Sequence, residues 1–503
     1  MSLQQYEATM SVAADPRRLW ILRVLKGGGV YVCQIIGELA VRSPTIWWIT
    51  HGFLLVLMLL GWMPGYVQAG SGEVATNAAS AATSSAIGDS LQSLIAYALA
   101  HNPKVAATAF DGQDAAARTQ AAQGARLPRL NIEGGYMLYG DDLRLTAARH
   151  NGELGVFGDN ILAADLVLRL PLYTGGRLTA EMRAAELLEK SIWQRLARSR
   201  GDLVYNVSIL YYSQLAQAQL LESLSFSAET LASQLERVNA LITARKAAKV
   251  DALRTEVKLA DLRQRLLRER NSLVVQRQAL LNLIGATGAG DDFVFAGTLS
   301  PPAAETRAIE TLAGLALEQR PDVRAARADL EAQVARVEAA RAGHMPTINL
   351  VGAVGYRFMN DPTQQPEGHQ NNDTVSRVGI AFEMPLYEGN RIGARVAEEN
   401  ARLAAQRERV VKIQLQIRLE VETAHGSLAS ALERLASTEK AIDLGAESLR
   451  IEQEKYALAR GTAQDVLDAQ SALLDAQTNR IRALAEANAA AAQLVLATGE
   501  KLP

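Results

Sequence analysis

The amino-acid sequence contains one unit written twice, and this duplication restricts the possible folds more than any other feature. Pro103 recurs as Pro321, at an offset of 321 − 103 = 218. Pro171-Leu172-Tyr173 recurs as Pro385-Leu386-Tyr387, at an offset of 385 − 171 = 214, and this second offset holds to the end of the chain. The two halves, residues 87–300 and 303–503, are therefore predicted to adopt the same architecture.

Each half contains two segments in which apolar and polar residues alternate, the pattern of a half-buried β-strand. Each is about ten residues long or slightly more, the length of a tilted strand that crosses a bilayer. The loops between them, residues 140–160 and 359–374, are rich in Gly, Asn and Asp. The apolar sides of the four segments are Leu130, Ile132, Tyr136 and Leu138; Leu166, Leu168, Leu170 and Leu172; Ile348, Leu350, Val354, Tyr356 and Phe358; and Val378, Ile380, Phe382, Met384 and Leu386.

Two long segments without proline, residues 176–243 and 390–458, follow the predicted hairpins. At 1.5 Å per residue each would form a helix of about 100 Å, which cannot surround a compact core and must pack as a coiled coil. The next helices have apolar residues every seven positions, as at Leu467, Leu474 and Ile481. Only 5% of the residues are aromatic, which also favours packed helices over a large globular core. We expect a mainly α-helical fold whose long coiled-coil helices form an α-barrel tunnel.

Four strands cannot close a membrane barrel by themselves. Roughly eight strands make the smallest closed barrel, and lipid does not tolerate an open sheet edge. Two copies would supply eight strands and three would supply twelve, and only the larger barrel leaves an aqueous channel of useful width. The chain is therefore predicted to form oligomers.

Residues 87–500 resemble the TolC-like outer-membrane efflux protein family. The resemblance is carried by the duplication, by Gly461-Thr462-Ala463-Gln464-Asp465-Val466-Leu467-Asp468-Ala469, and by prolines at the junctions of helices and strands: Pro128, Pro171, Pro346 and Pro385. It implies a homotrimer with a twelve-stranded barrel in outer-membrane lipid and a helical tunnel in the periplasm. It also implies docking to a periplasmic adaptor (membrane fusion) protein and, through it, to an inner-membrane pump.

The resemblance further implies that Asp465 and Asp468 line the closed periplasmic end of the tunnel, and that Tyr456 belongs to this gate. A trimer would present 2 × 3 = 6 carboxylates around a narrow axis. The corresponding residues of the first half are Asp251 and Arg254, so the acidic ring would come from the second half alone.

A structural role is the alternative for the two aspartates. Thr462 and Asp465 have the spacing of a helix capping box, and Asp468 favours a helix N-terminus through the helix dipole. Both residues could therefore serve only to begin a helix.

Enzyme activity, a cofactor and a nucleic-acid partner are not expected. The six histidines are scattered without metal-ligand spacing, the only cysteine is Cys33, and the net charge is −2. Two alternative functions are the outer-membrane component of a type I protein secretion system and a periplasmic coiled-coil adaptor. An adaptor would need one helical hairpin between β-rich halves, which does not fit two predicted membrane-crossing β-hairpins.

The N-terminal segment is predicted to direct export. Residues 46–69 read as a signal peptide that ends in Val67-Gln68-Ala69, so the mature chain is expected to begin at Gly70 with a linker over residues 70–86. An uncleaved membrane anchor is the alternative. Residues 1–45 are an extra segment, and residues 13–46 resemble a truncated ArsR-type regulator. The apolar Ile46-Trp47-Trp48 stands where base-reading polar residues would be needed, so we interpret this segment as vestigial.

Overall fold

The computed structural model describes residues 90–245, 247–286, 297–458 and 460–500. The extra segment 1–45, the predicted signal peptide 46–69 and the linker 70–86 lie outside the described residues.

The described chain consists of two successive sets of helices and strands. The first set is α1 (Leu91–His101), α2 (Pro103–Gly124), β1 (Arg129–Arg144), β2 (Phe157–Tyr173), α3 (Arg177–Thr243) and α4 (Lys249–Ile284). The second set is α5 (Ile309–Gln319), α6 (Pro321–Arg341), a 3₁₀ turn (Ala342–His344), β3 (Thr347–Phe358), β4 (Asn372–Glu383), α7 (Arg391–Ala457) and α8 (Ala463–Thr498).

The helix bounds repeat with the offsets found in the sequence. Helix α1 recurs as α5 at 309 − 91 = 218, and both ends of α3 and α4 recur in α7 and α8 at 391 − 177 = 463 − 249 = 214. Helices α3 and α7 have 67 residues each, so each is about 100 Å long. Among the described residues, none of the helices combines the length and the apolar character needed to cross a lipid bilayer.

The four strands form one antiparallel sheet in the order β1-β2-β3-β4. Even-numbered residues pair with even-numbered residues over most of the sheet, as in Ile132 with Leu166 and Leu166 with Val354. One face of the sheet therefore collects the predicted apolar residues. The other face carries ion pairs, with Arg169 Nη1 2.7 Å from Glu133 Oε1 and Arg357 Nη1 2.7 Å from Asp165 Oδ1.

Several predicted strand boundaries are wrong. Strand β1 continues to Arg144 and β2 begins at Phe157, inside the predicted loop 140–160. A backbone ladder requires only N–H and C=O groups, so it continues through residues whose polarity does not alternate. Strand β4 ends at Glu383, before Met384 and Leu386, because Pro385 has no N–H group to donate to the ladder.

The long helices pack side by side, α4 on α3, α3 on α8 and α8 on α7. Two equivalent cores join them to the short helices. In one core Leu94 of α1 packs with Val207 and Leu280, and in the other Leu312 of α5 packs with Val421 and Leu494. Burial of these apolar side chains stabilises the packing of each short helix against its long neighbours.

A buried arginine, Arg320, connects α6 to α7 and α8. Its side chain is 2% exposed, and Nη1 donates to Glu420 Oε2 at 2.6 Å and to the Ala497 carbonyl oxygen at 3.2 Å. Nη2 donates to Asp322 Oδ2 at 2.6 Å. The guanidinium therefore joins residues that are 100 and 177 positions away in the sequence.

In the first half, an uncharged residue makes the equivalent contact between helices. Asn102 stands at the position of Arg320, since 320 − 102 = 218, and its Nδ2 donates to the Leu283 carbonyl oxygen at 2.7 Å. That carbonyl corresponds to the one of Ala497, since 497 − 283 = 214. The ionic network is therefore specific to the second half.

Candidate functional site

The sheet has an apolar face that no other part of the described chain covers. Ile132, Val354 and Val378 on this face are 71%, 57% and 80% exposed. Water would make such a surface unfavourable, whereas the hydrocarbon of a membrane would not. Strands β1 and β4 also each have one edge without a partner strand in the described chain.

The row of long helices also ends in unpaired surfaces. Helices α4 and α7 lie at its two ends, and each carries exposed apolar residues along its length. On α4 these include Leu253, Val257 and Leu267, and on α7 they include Leu415 and Leu419. The helical layer and the sheet are thus incomplete at corresponding edges.

The predicted gate residues lie at one end of the helical layer, where α7 turns into α8. Asp465 and Asp468 are both exposed, in the first two turns of α8. Tyr456 is near the end of α7, and its buried hydroxyl has no hydrogen-bond partner among the described residues. Burial raises the pKa of Tyr456, and the negative charge of Asp251 at the start of α4 raises it further.

Asp465 forms the capping box that the sequence offered as the alternative to a gate. The Thr462 N–H donates to Asp465 Oδ2 at 2.9 Å, and the Asp465 N–H donates to Thr462 Oγ1 at 3.2 Å. Hydrogen bonds from the Thr462 hydroxyl and N–H hold the pKa of Asp465 below its usual value. A lowered pKa means that this stabilisation is present at neutral pH and is lost as the pH falls below about 4.

Asp468 is not used in this cap. Its Oδ1 accepts a hydrogen bond from Gln464 Nε2 at 2.9 Å, and it forms no ion pair with the described residues. The two aspartates therefore differ in local role, although the sequence pattern treats them alike.

Asp251 also lies at this end of the helical layer, although the sequence indicated it only as the first-half equivalent of Asp465. It corresponds to Asp465, since 465 − 251 = 214, and α4 begins where the equivalent α8 begins. The helical hairpins of both halves therefore turn at the same end of the layer. This equivalence was the signal that could have placed Asp251 beside Tyr456.

The predicted junction prolines lie where the chain passes between helices and strands. Pro128 and Pro346 immediately precede β1 and β3, Pro171 is the third residue from the end of β2, and Pro385 follows β4. Among the described residues, no group of three or more His, Cys, Asp or Glu side chains could hold a metal ion.

Comparison with known proteins agrees with this geometry. The chain is 22% identical to the outer membrane protein TolC of Vibrio cholerae over 397 residues, which cover 78% of this chain and 86% of TolC. It is 31% identical to the toluene efflux pump outer membrane protein TtgF of Pseudomonas putida over 275 residues, 53% of this chain and 54% of that protein. The crystal structure of the outer membrane protein VceC from Vibrio cholerae shares the fold with a TM-score of 0.67 at 20% identity, covering 82% of this chain and 96% of VceC.

The sequence profile of one family, described as outer membrane efflux protein, matches residues 94–286 and 312–500. These two segments coincide with the two structural halves, and the proteins of this family are channels rather than enzymes. A periplasmic adaptor is thereby excluded. The chain belongs to the outer membrane efflux protein family and is an outer-membrane channel protein of tripartite efflux systems.

Proposed function

We propose that three copies of this chain form one export duct, with a twelve-stranded barrel in the outer membrane and a tunnel of twelve long helices in the periplasm. The main support is the four-stranded sheet, whose edges β1 and β4 are unpaired and whose apolar face is exposed. In lipid every backbone polar group needs a partner, so β4 of one copy would pair with β1 of the next. Channels of the TolC family form trimers in tripartite pumps.

The helical layer supports the same assembly. Closing the row α4-α3-α8-α7 into a ring would bring α7 of one copy against α4 of the next and cover their exposed apolar residues. At its periplasmic end the duct would dock to a periplasmic adaptor protein, which connects it to an inner-membrane pump. The cargo would then pass from the pump through the tunnel to the exterior.

The mass of the purified protein and its conductance test this proposal. Protein extracted from the outer-membrane fraction in mild detergent should have the mass of three chains and should form ion-conducting pores in planar bilayers. A stable monomer, or a trimer that never conducts, would contradict a trimeric duct.

The second part of the proposal is that Asp468 and Asp465 line the closed periplasmic opening and that Tyr456 belongs to the same gate. Six carboxylates around one axis would attract cations and repel one another. The support from the structure is that both aspartates are exposed at the same end as Tyr456, and that Asp468 is free of cap and ion-pair contacts within the described residues.

Asp468→Asn should lower the preference of the pore for cations by about threefold, because it removes charge at the narrowest point while leaving the capping box intact. The reversal potential in a salt gradient measures this preference. Asp465→Asn should act in the same direction, because the Asn side-chain oxygen can still accept from the Thr462 N–H, whereas Asp465→Ala should also lower thermal stability. Asp443→Asn, an exposed change farther along α7, is the matched control. If both Asn variants kept the cation selectivity of the wild type, the two aspartates would have a structural role only and the gate assignment would be wrong.

A further inference from the structure

A charged cleft of about 440 Å³ lies where the sheet meets the helical layer. It is formed by the first residues of α3 and α7 and by the end of α6. Five arginines line it: Arg177, Arg336, Arg391, Arg395 and Arg402. The proposed trimer contacts and the acidic periplasmic opening do not involve this cleft.

Two of these arginines have no carboxylate partner among the described residues. Arg177 pairs with Glu181 at 3.1 Å, Arg391 pairs with Glu388, and Arg402 pairs with Glu398 and Glu399. Arg395 has no hydrogen bond or ion pair with the described residues, and Arg336 contacts only Gln333 Oε1, at 3.5 Å. The cleft therefore contains guanidinium groups that are free to bind an anion.

The helix ends at the cleft add to its positive potential. Helix α3 begins at Arg177 and α7 begins at Arg391, and neither N-terminus has a side-chain cap. The residues before them, Gly176 and Asn390, adopt left-handed conformations with φ of 87° and 62°. The helix dipole favours a negative charge at such a position, so an arginine there is not explained by helix stability.

The packing of the short helices indicates which side of the tunnel the cleft faces. Twelve helices about 10 Å apart make a ring with an opening of about 28 Å, which six additional helices would block. Copies of α1 and α5 must therefore lie outside the ring. Arg327 on α6 donates to the Leu317 carbonyl oxygen of α5 at 3.3 Å, so its side of α6 is the outer side.

Arg336 lies on the opposite side of α6 from Arg327. Nine residues at about 100° each bring it to the other face of the helix. The half-buried side chains Asp322 and Asp329 precede Arg336 at steps of seven and lie on the same face, which borders a second cleft lined by Arg195 and Arg198 of α3. Arg336 and its cleft thus face the lumen.

We propose that this cleft binds the anionic groups of cargo, such as phosphate or carboxylate, as cargo passes from the helical tunnel into the barrel. The inference rests on the trimeric duct proposed above, which would place three such clefts around the lumen. It assigns to the middle of the conduit an anion preference opposite to that of the acidic periplasmic opening. The duct would then bias which cargo passes even without an enclosed binding pocket.

Binding of inorganic tripolyphosphate to the purified trimer tests the proposal. Calorimetry should show that Arg395→Gln weakens binding about tenfold, because a hydrogen-bonded charge is lost, and that Arg336→Gln/Arg395→Gln weakens it further. Arg395 makes no hydrogen bond or ion pair within the described chain, so its replacement should leave the fold intact. Tripolyphosphate added on the extracellular side should also block the pore less in these variants than in the wild type.

The control removes the same charge from the outer face of α6, with Arg327→Gln/Arg341→Gln. Binding and block should stay within about twofold of the wild type in this control. Equal binding by the wild type and Arg395→Gln, or a loss only in the control, would overturn the proposal. If the protein is trimeric and conducts ions but Arg395→Gln changes neither binding nor block, only the proposed anion-binding role of the cleft is wrong. If no trimers form, the proposed duct is wrong.

Discussion

Arg320→Met is expected to lower the free energy of unfolding by about 3 kcal/mol, measured by denaturant unfolding of the purified protein. The substitution keeps an apolar side chain of similar length but leaves Asp322 and Glu420 without their buried partner. Breaking a buried ion pair costs about 3 to 5 kcal/mol, and the lower value is expected here because these two carboxylates remain 29% and 36% exposed. Met also cannot donate to the Ala497 carbonyl oxygen, so one end of α8 loses an anchor.

The pH dependence of the lost unfolding free energy shows whether Arg320 stabilises the protein through its charge or only through packing. Burial raises the pKa of Asp322, but its hydrogen bonds and ion pair with Arg320 outweigh burial and hold the pKa below the usual value. In the wild type the Asp322 carboxylate therefore stabilises the fold above about pH 4 and loses this effect as the pH falls. In Arg320→Met the burial of Asp322 is opposed only by the more distant charge of Arg198 and by the Val323 N–H. Protonation of Asp322 then costs the variant less stability than the wild type, so the two proteins should become more alike at low pH. A loss that is independent of pH would indicate packing alone.

Arg324→Met is the matched control, because Arg324 is exposed on the same helix and contacts only the Glu318 carbonyl oxygen through Nε. Its effect should be below about 0.5 kcal/mol. Arg320→Asn, which copies Asn102 of the first half, should lose nearly as much stability as Arg320→Met. Asn can cap α6, but it cannot neutralise Asp322 and Glu420.

Val378→Arg is expected to reduce barrel stability by roughly 2 to 4 kcal/mol, because it places a charge on the lipid face near the middle of the sheet. Val378 is 80% exposed and pairs with Gly352, halfway along β3 and β4. The assay is urea-induced unfolding of the protein refolded into lipid vesicles. Heat-resistant trimers should be correspondingly scarce on gels.

Gly379→Arg introduces the same charge at the same depth on the polar, lumen-facing side of β4 and should assemble almost normally. Phe382→Arg, on the lipid face but one residue before the end of β4, should cost only about 0 to 1 kcal/mol because it lies near the membrane boundary. Equal defects in Val378→Arg and Gly379→Arg would show that the assignment of the two faces is wrong.

The sequence alone predicted the elements whose signals are local and repeated. The alternation that includes Ile132 and Val354 identified the apolar face of each strand, and the register of the sheet brings those residues together. The offsets of 214 and 218 predicted the equivalence of the halves, which the helix bounds reproduce. The spacing of Thr462 and Asp465 offered the capping box that the structure contains. In each case the side chains that interact are close in sequence or repeat with the period of the backbone.

Other features depend on contacts between residues far apart in the chain, and no periodic pattern encodes them. Strand β1 extends to Arg144 because Leu143 pairs with Gly158, although the residues between them read as a loop. Asp251 influences Tyr456 across 456 − 251 = 205 residues, and the arginine cleft is assembled from three separate helices. Arg320 is one of many arginines in the sequence. It differs from them by being buried against Glu420 and the Ala497 carbonyl oxygen, which are distant in the sequence. The sequence thus determined the periodic elements and their duplication. Only the tertiary structure decided which charged groups lose water and meet, because desolvation and ion pairing depend on distance in space.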